Sequence, residues 1–302
     1  MEGRGQTAAA CIDSEHLGTE TITTFMLESG IGYHMARKEL SMDRRAYLRT
    51  VGASGAVVLT STAGCLGGNG GGGGELTAGT APGFPPFEMK EGGELVGFDI
   101  DLLEAVIGQV DYELAGWSEF EFSSLIPALQ NDKIDVIAAA MTINEERDET
   151  IDFSNPYYSA NQAILVADES DFSPGSMDDL SGRTLGAQKG TTGEEVVRTQ
   201  LIETGKISQQ QYNSYDNYVL SIEDLENGNI DAVVLDTPTA NTFAEERDVS
   251  IAFTYETGEQ YGFGIRDGED ALQSALNTGL QSLRDTGQYG EIASKWGLVA
   301  DS

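Results

Sequence analysis

Two short, unbroken apolar runs restrict this chain more than anything else in it. They are "DVIAAAM" (Asp135–Met141) and "DAVVLD" (Asp231–Asp236), and each follows a segment with helical spacing of apolar residues. A strand covered on one face alternates polar and apolar residues, whereas a strand covered on both faces does not, so each run reads as a strand between layers of helix. The surrounding segments repeat the theme. "ELTAGTAP" is a first strand broken by Pro82, Pro85 and Pro86. "GFDIDLLEAVIGQV" carries Ile100, Leu103, Val106 and Ile107 at helical spacing, with Asp99 or Asp101 near its start. "DYELAGWS" is a strand, and "FSSLIPALQNDKI" a helix with Leu125, Ile126, Leu129 and Ile134 on one side.

A similar order recurs downstream. "RTLGAQKG" is a strand, "TTGEEVVRTQLIET" a helix capped by Thr191 or Thr192, "ISQQQYNSYDN" a strand, and "TPTANTFAEER" a helix with Pro238 in its first turn. This alternation predicts an α/β fold with mostly parallel sheet. Two sets of units separated by "SNPYYSANQAILVA" predict two lobes. The segment from Thr254 onward is expected to give one strand and two helices that return to the first lobe, so that two crossings form a hinge. The expected boundaries are 76–160 with 258–302 for lobe 1, and 161–257 for lobe 2.

Fifty acidic residues against 17 basic give a net charge of -33. Such a field repels nucleic acid and anionic membrane surfaces, and it suits a hydrated surface screened by high salt, so a salt-loving source such as a haloarchaeon is expected. Residues 1–64 read as a leader. "MDRRAYLRTVGASGAVVLTSTAGC" has a basic start, a short apolar run and small residues before Cys65, and Met42 is a candidate start. Arg44-Arg45 resembles a twin-arginine export motif, and Thr62-Ala63-Gly64-Cys65 resembles a lipobox whose cysteine becomes a lipid anchor. Residues 65–75 then form a glycine-rich tether.

Both histidines, His16 and His34, lie in that leader, and the two cysteines are Cys11 and Cys65. The domain beyond the tether therefore has neither residue type. This rules out Ser-His-Asp and Cys-His catalysis there, as well as zinc sites built from His or Cys. No phosphate-binding loop and no dinucleotide fingerprint is present, and no cofactor or metal is expected.

Five stretches in order, "FPPFEMKEGGELVGFDIDLLEAV", "FSSLIPALQNDKIDVIAAAMTINEERDETIDFSNPYY", "LGAQKGTTGEEV", "NGNIDAVVLDTP" and "LRDTGQYGEIASKWG", resemble the extracytoplasmic solute-binding proteins of polar amino-acid ABC importers. The resemblance covers about residues 75–300. It implies a type II periplasmic-binding-protein fold, two α/β lobes joined by a two-strand hinge, and a monomer that delivers one amino acid to an ABC permease with a separate ATPase subunit.

By resemblance, Arg147 holds the ligand carboxylate, a task that suits its rigid planar fork; the plainer role would be a surface ion pair with Glu145, Glu146 or Asp148. The resemblance gives Thr142 a hydroxyl and an amide for the ligand, and Ala140 a carbonyl for its ammonium. Thr191 and Thr192 meet the carboxylate, and Asp236 pairs with the ammonium. Phe84 and Phe122 sandwich the side chain, and Gln188 reads its far end. One departure is Ala81, where many relatives have an aspartate, which turns the expectation toward a neutral polar ligand such as glutamine, or an acidic one. The alternatives are a cyclohexadienyl-dehydratase-like enzyme on the same fold and a sensor that presents its ligand to a signalling partner.

Overall fold

The computed structural model describes residues 73–299. The leader, the twin-arginine motif, Cys65 and nearly all of the tether lie outside the described residues. In chain order the elements are β1 (Glu75–Thr80), β2 (Met89–Glu91), β3 (Glu94–Val96), α1 (Phe98–Ile107), β4 (Glu113–Glu119), α2 (Leu125–Gln130), β5 (Val136–Ile137), α3 (Glu145–Asp148) and β6 (Ile151–Phe153). They continue with β7 (Tyr158–Ala167), β8 (Leu185–Gln188), α4 (Thr192–Val196), β9 (Tyr212–Tyr215), α5 (Tyr218–Glu226), β10 (Ala232–Asp236), α6 (Thr237–Glu246) and β11 (Val249–Tyr261). The last three are β12 (Gly264–Arg266), α7 (Asp270–Thr286) and α8 (Gln288–Lys295).

Two five-stranded sheets organise the domain, ordered β4-β1-β5-β12-β6 and β11-β7-β10-β8-β9. Both apolar runs occupy interior places. Val136 and Ile137 are fully buried between β1 and β12, and every residue of β10 is buried between β7 and β8. The sheets are mixed rather than mostly parallel: β1 runs parallel to β4 and β5, and β8 to β9 and β10, but the pairings of β12 with β5 and β6, and of β7 with β10 and β11, are antiparallel. The antiparallel pairs all involve strands at the two crossings, whose direction is set by where the chain must go next and not by local pattern.

The region from Thr254 onward holds the end of β11 and all of β12, two strands instead of one. The helix expected from Thr191 winds as an α-helix only to Val196 and then loosens into a π-helix over Val197–Ile202. Only the four residues "YNSY" within "ISQQQYNSYDN" pair as a strand, because Gln209–Gln211 close into a 3-10 turn under a Ser208 capping box.

β7 and β11 run side by side to the point where both leave the second sheet, with Tyr158 opposite Tyr261. Residue 258, the expected start of the return to lobe 1, falls inside β11 at a register irregularity between Tyr255 and Glu259, where Gly258 takes φ +65°. Aromatic rings pack at this crossing. Phe87 meets the edges of Tyr158 and Tyr261 at 5.3 Å each, and Tyr157 packs on Phe263 at 4.7 Å. Such pairs contribute roughly 0.5–1.5 kcal/mol each beyond their burial. Among the described residues no helix is long and apolar enough to cross a membrane.

Candidate functional site

The loop after β5 ends on the hinge. Thr142 bridges Tyr261, the Ile143 amide donates to the Gln260 carbonyl at 2.8 Å, and the Gly262 amide donates to the Met141 carbonyl at 3.1 Å. One step earlier, Ala140 sits at φ +43°, a region an alanine seldom adopts. Its amide donates to Asp99 Oδ2 at 2.7 Å, and the same oxygen accepts from the Tyr157 hydroxyl at 2.6 Å. Asp99, in the first turn of α1 as its place near the helix start implies, is thus a buried clamp on the strand end. Burial pushes the Asp99 carboxyl up to about 7, against the two hydrogen bonds that favour its charged form.

Asn144 then caps the single turn of α3 by accepting from the Arg147 amide. The turn points Arg147 inward, where it is 9% exposed, and no surface ion pair with its acidic neighbours forms. Its guanidinium donates to the Thr142 carbonyl at 2.6 Å and, across the cleft, to the Gly190 carbonyl at 2.9 Å, while Phe122 packs under it at 5.4 Å. Burial lowers its pKa, and the fields of Glu259 and Asp236 act in the opposite direction.

The second lobe brings the N-terminus of α4. Thr191 is the cap, accepting from the Glu194 amide and donating to the Gln188 carbonyl at 2.7 Å. Gly193 lets this turn lean on β10, since a Cβ there would lie 2.5 Å from the Val234 carbonyl oxygen and 2.8 Å from the Tyr218 hydroxyl. Thr192 meets Thr142 hydroxyl to hydroxyl at 3.0 Å, a second link between lobes. Asp236, at the end of β10, makes no side-chain cap to α6; its Oδ1 accepts from the Tyr261 hydroxyl at 2.7 Å. Burial and the negative Glu259 hold its pKa well above the usual carboxylate range.

All nine residues named from sequence line one tightly closed cavity between the lobes, with a free volume of about 10 Å³: Phe84, Phe122, Ala140, Thr142, Arg147, Gln188, Thr191, Thr192 and Asp236. Phe122, Arg147, Thr191 and Thr192 also border a wider outer groove of about 610 Å³. Phe84 reaches across to Tyr218 with rings 5.7 Å apart, and Gln188 donates to the Asp216 carbonyl at 3.1 Å. Ala81 lines the same cavity, as its motif position implies.

Two acids escaped the sequence reading. Glu88 lines the cavity, is 1% exposed, and its Oε2 has no hydrogen-bond partner; burial raises its pKa, and so do Asp99 and Asp236. Glu259 lies behind Thr142, whose hydroxyl donates to it at 2.8 Å. Glu88 follows directly after buried Phe87, so no alternation signals it. Glu259 is one of two acids in an exposed-looking "YETGEQY". No group of three His, Cys, Asp or Glu placed to hold a metal occurs among the described residues.

Comparison with known proteins agrees with this architecture. Residues 76–299 match the family described as bacterial extracellular solute-binding proteins, family 3. A probable histidine-binding protein of Campylobacter jejuni is 33% identical over 226 residues, 74% of this chain and 85% of that protein. An ancestral arginine-binding protein, solved with arginine bound, superposes with a TM-score of 0.69 at 37% identity, over 74% of this chain and 97% of its own. An ancestral amino acid-binding protein described as a precursor of cyclohexadienyl dehydratase superposes with a TM-score of 0.67 at 31% identity, over 74% and 95%. With a family match across most of its length and the type II two-lobed fold, this chain belongs to the bacterial extracellular solute-binding proteins of family 3.

Proposed function

We propose that the chain captures one amino acid with a basic side chain in the cavity between its lobes and delivers it to an ABC permease driven by a separate ATPase, held at the outer membrane face through Cys65. The observation that carries the ligand class is the charge balance of the cavity lining. Arg147 is its one cation, and Glu88 and Asp236 are its buried carboxyls. The two charged ends of an amino acid take Arg147 and Asp236 as partners, which leaves Glu88 buried with an unpartnered oxygen. A guanidinium, ammonium or imidazolium at the end of the ligand side chain supplies that partner and offsets the desolvation. The preference for a neutral or acidic ligand rested on Ala81; a carboxyl seven residues later serves the same cavity. The relatives named for histidine and arginine binding accord with this reading.

A thermal-shift series with arginine, lysine, histidine, glutamine and glutamate in molar KCl tests it, because a ligand that binds only the folded state raises the melting temperature. The largest shift is expected from a basic amino acid, and Glu88→Gln should narrow its advantage over glutamine by tenfold or more in Kd, about 1.4 kcal/mol. A larger shift with glutamate than with any basic amino acid would refute the ligand class. The enzyme reading retains one observation, a cavity carboxyl that holds its proton more tightly than usual; turnover of a prephenate-like cyclic acid would establish it.

A further inference from the structure

The geometry points to Glu259 as the positioning residue that sets the direction of the hydrogen bond Thr142 offers to the ligand. Glu259 sits on β11 at the crossing, 5% exposed. Asn161 shapes the bulge before it, accepting from the amides of Thr257 and Gly258 at 3.0 and 2.9 Å. Three donors converge on its carboxylate: Gln162 Nε2 and Thr257 Oγ1 on Oε1, each at 2.7 Å, and Thr142 Oγ1 on Oε2 at 2.8 Å.

The consequence follows from counting protons. A hydroxyl has one proton and two lone pairs, and a carboxylate has no proton to give. The Thr142 proton is therefore committed to Glu259, so the 3.0 Å contact with Thr192 must be donated by Thr192. Thr142 is left with one lone pair, which makes its hydroxyl an acceptor only. An acceptor at this point serves an ammonium and opposes a carboxylate, which places the ligand's ammonium among Asp236, the Ala140 carbonyl and Thr142, and its carboxylate toward Arg147. Glu259 need not touch the ligand to impose this polarity. The inference rests on the amino-acid-binding reading above.

Replacing Glu259 by glutamine keeps the shape but puts an N–H where the carboxylate oxygen accepted. The Thr142 hydroxyl then accepts from that amide and turns its own proton outward, a donor facing a donor. The test is the dissociation constant for a basic amino acid, by calorimetry, of the unsubstituted chain, Glu259→Gln, and Glu259→Gln combined with Thr142→Ser or Thr142→Val, each compared with its own parent. Glu259→Gln should weaken binding about tenfold in the unsubstituted and Thr142→Ser backgrounds, which keep the hydroxyl, and by less than twofold in the Thr142→Val background. An equal loss in all three backgrounds, or no loss in any, overturns the assignment, because a merely structural role would act regardless of the hydroxyl. Should Glu259→Gln not fold, Glu259→Asp, which withdraws the carboxylate from Thr142, carries the same comparison. Whichever of L-arginine, L-lysine and L-histidine binds the unsubstituted chain most tightly serves as the probe, and failure of all three to bind overturns the basic-ligand reading itself before any variant is made.

Discussion

Arg147→Ala tests the site most directly. The guanidinium is held by one carbonyl from each lobe, Thr142 at 2.6 Å and Gly190 at 2.9 Å, and by the ring of Phe122. Those three contacts fix the plane of the guanidinium, so a carboxylate in the cavity meets an oriented fork. Removing one partner of a buried charge pair strands the other and costs about 3–5 kcal/mol. At about 1.4 kcal/mol per tenfold, this predicts a loss of two to three and a half orders of magnitude in affinity. Stability of the free protein should change much less, because burial already disfavours this charge, as its lowered pKa records. Arg147→Lys should fall between the two, since an ammonium keeps the charge but cannot hold both carbonyls and a carboxylate in one plane. Calorimetry with L-arginine in molar KCl provides the measurement, and melting curves without ligand provide the control. A dissociation constant for Arg147→Ala within threefold of the parent would refute the carboxylate role.

Two further outcomes are expected. The raised Asp99 carboxyl binds a proton in the folded state that the unfolded chain has already released, so its contribution to stability falls as pH rises from about 4 to about 7, by roughly 4 kcal/mol across the window. Asp99→Asn, which can still accept from Ala140 and Tyr157, should abolish that slope and be the more stable form above the window; parallel denaturant curves for both proteins would contradict this. Gly193→Ala places a methyl 2.5 Å from the Val234 carbonyl, and should cost about 1–3 kcal/mol in denaturation while displacing Thr192 from Thr142.

The sequence pattern made the layered α/β fold legible because interior strands such as β10 must be apolar on both faces. The residues around the cavity were legible through ordered motifs: Asp236 ends β10, Thr142 lies on the loop after β5, and Arg147 sits on the single turn of α3 that follows that loop. What stayed hidden has a common cause. Glu88, Asp99 and Glu259 are buried acids in a chain whose surface is crowded with acids, and local composition carries no mark of which ones turn inward. Their placement depends on long-range partners: Ala140 and Tyr157 for Asp99, and Thr142 and Gln162 for Glu259. Strand direction at the crossings was hidden for a similar reason. The loosened winding after Val196 has no signal in its own residues, which read as ordinary helix formers.

The place of β12 in the first sheet has a bearing on how the chain must be made. Gly264–Arg266 lies between β5 and β6, so β6 can join its sheet only through a strand synthesised more than a hundred residues later. Until then the far edge of Val136–Ile137 presents unpaired amides and carbonyls, the kind of edge that recruits a foreign strand. A polypeptide cut between Asp236 and Glu259 retains every residue that lines the ligand cavity but loses the support of Glu259 and Tyr261, and it leaves that edge open. The first sheet therefore closes last, after the strand that joins β5 to β6 has been made.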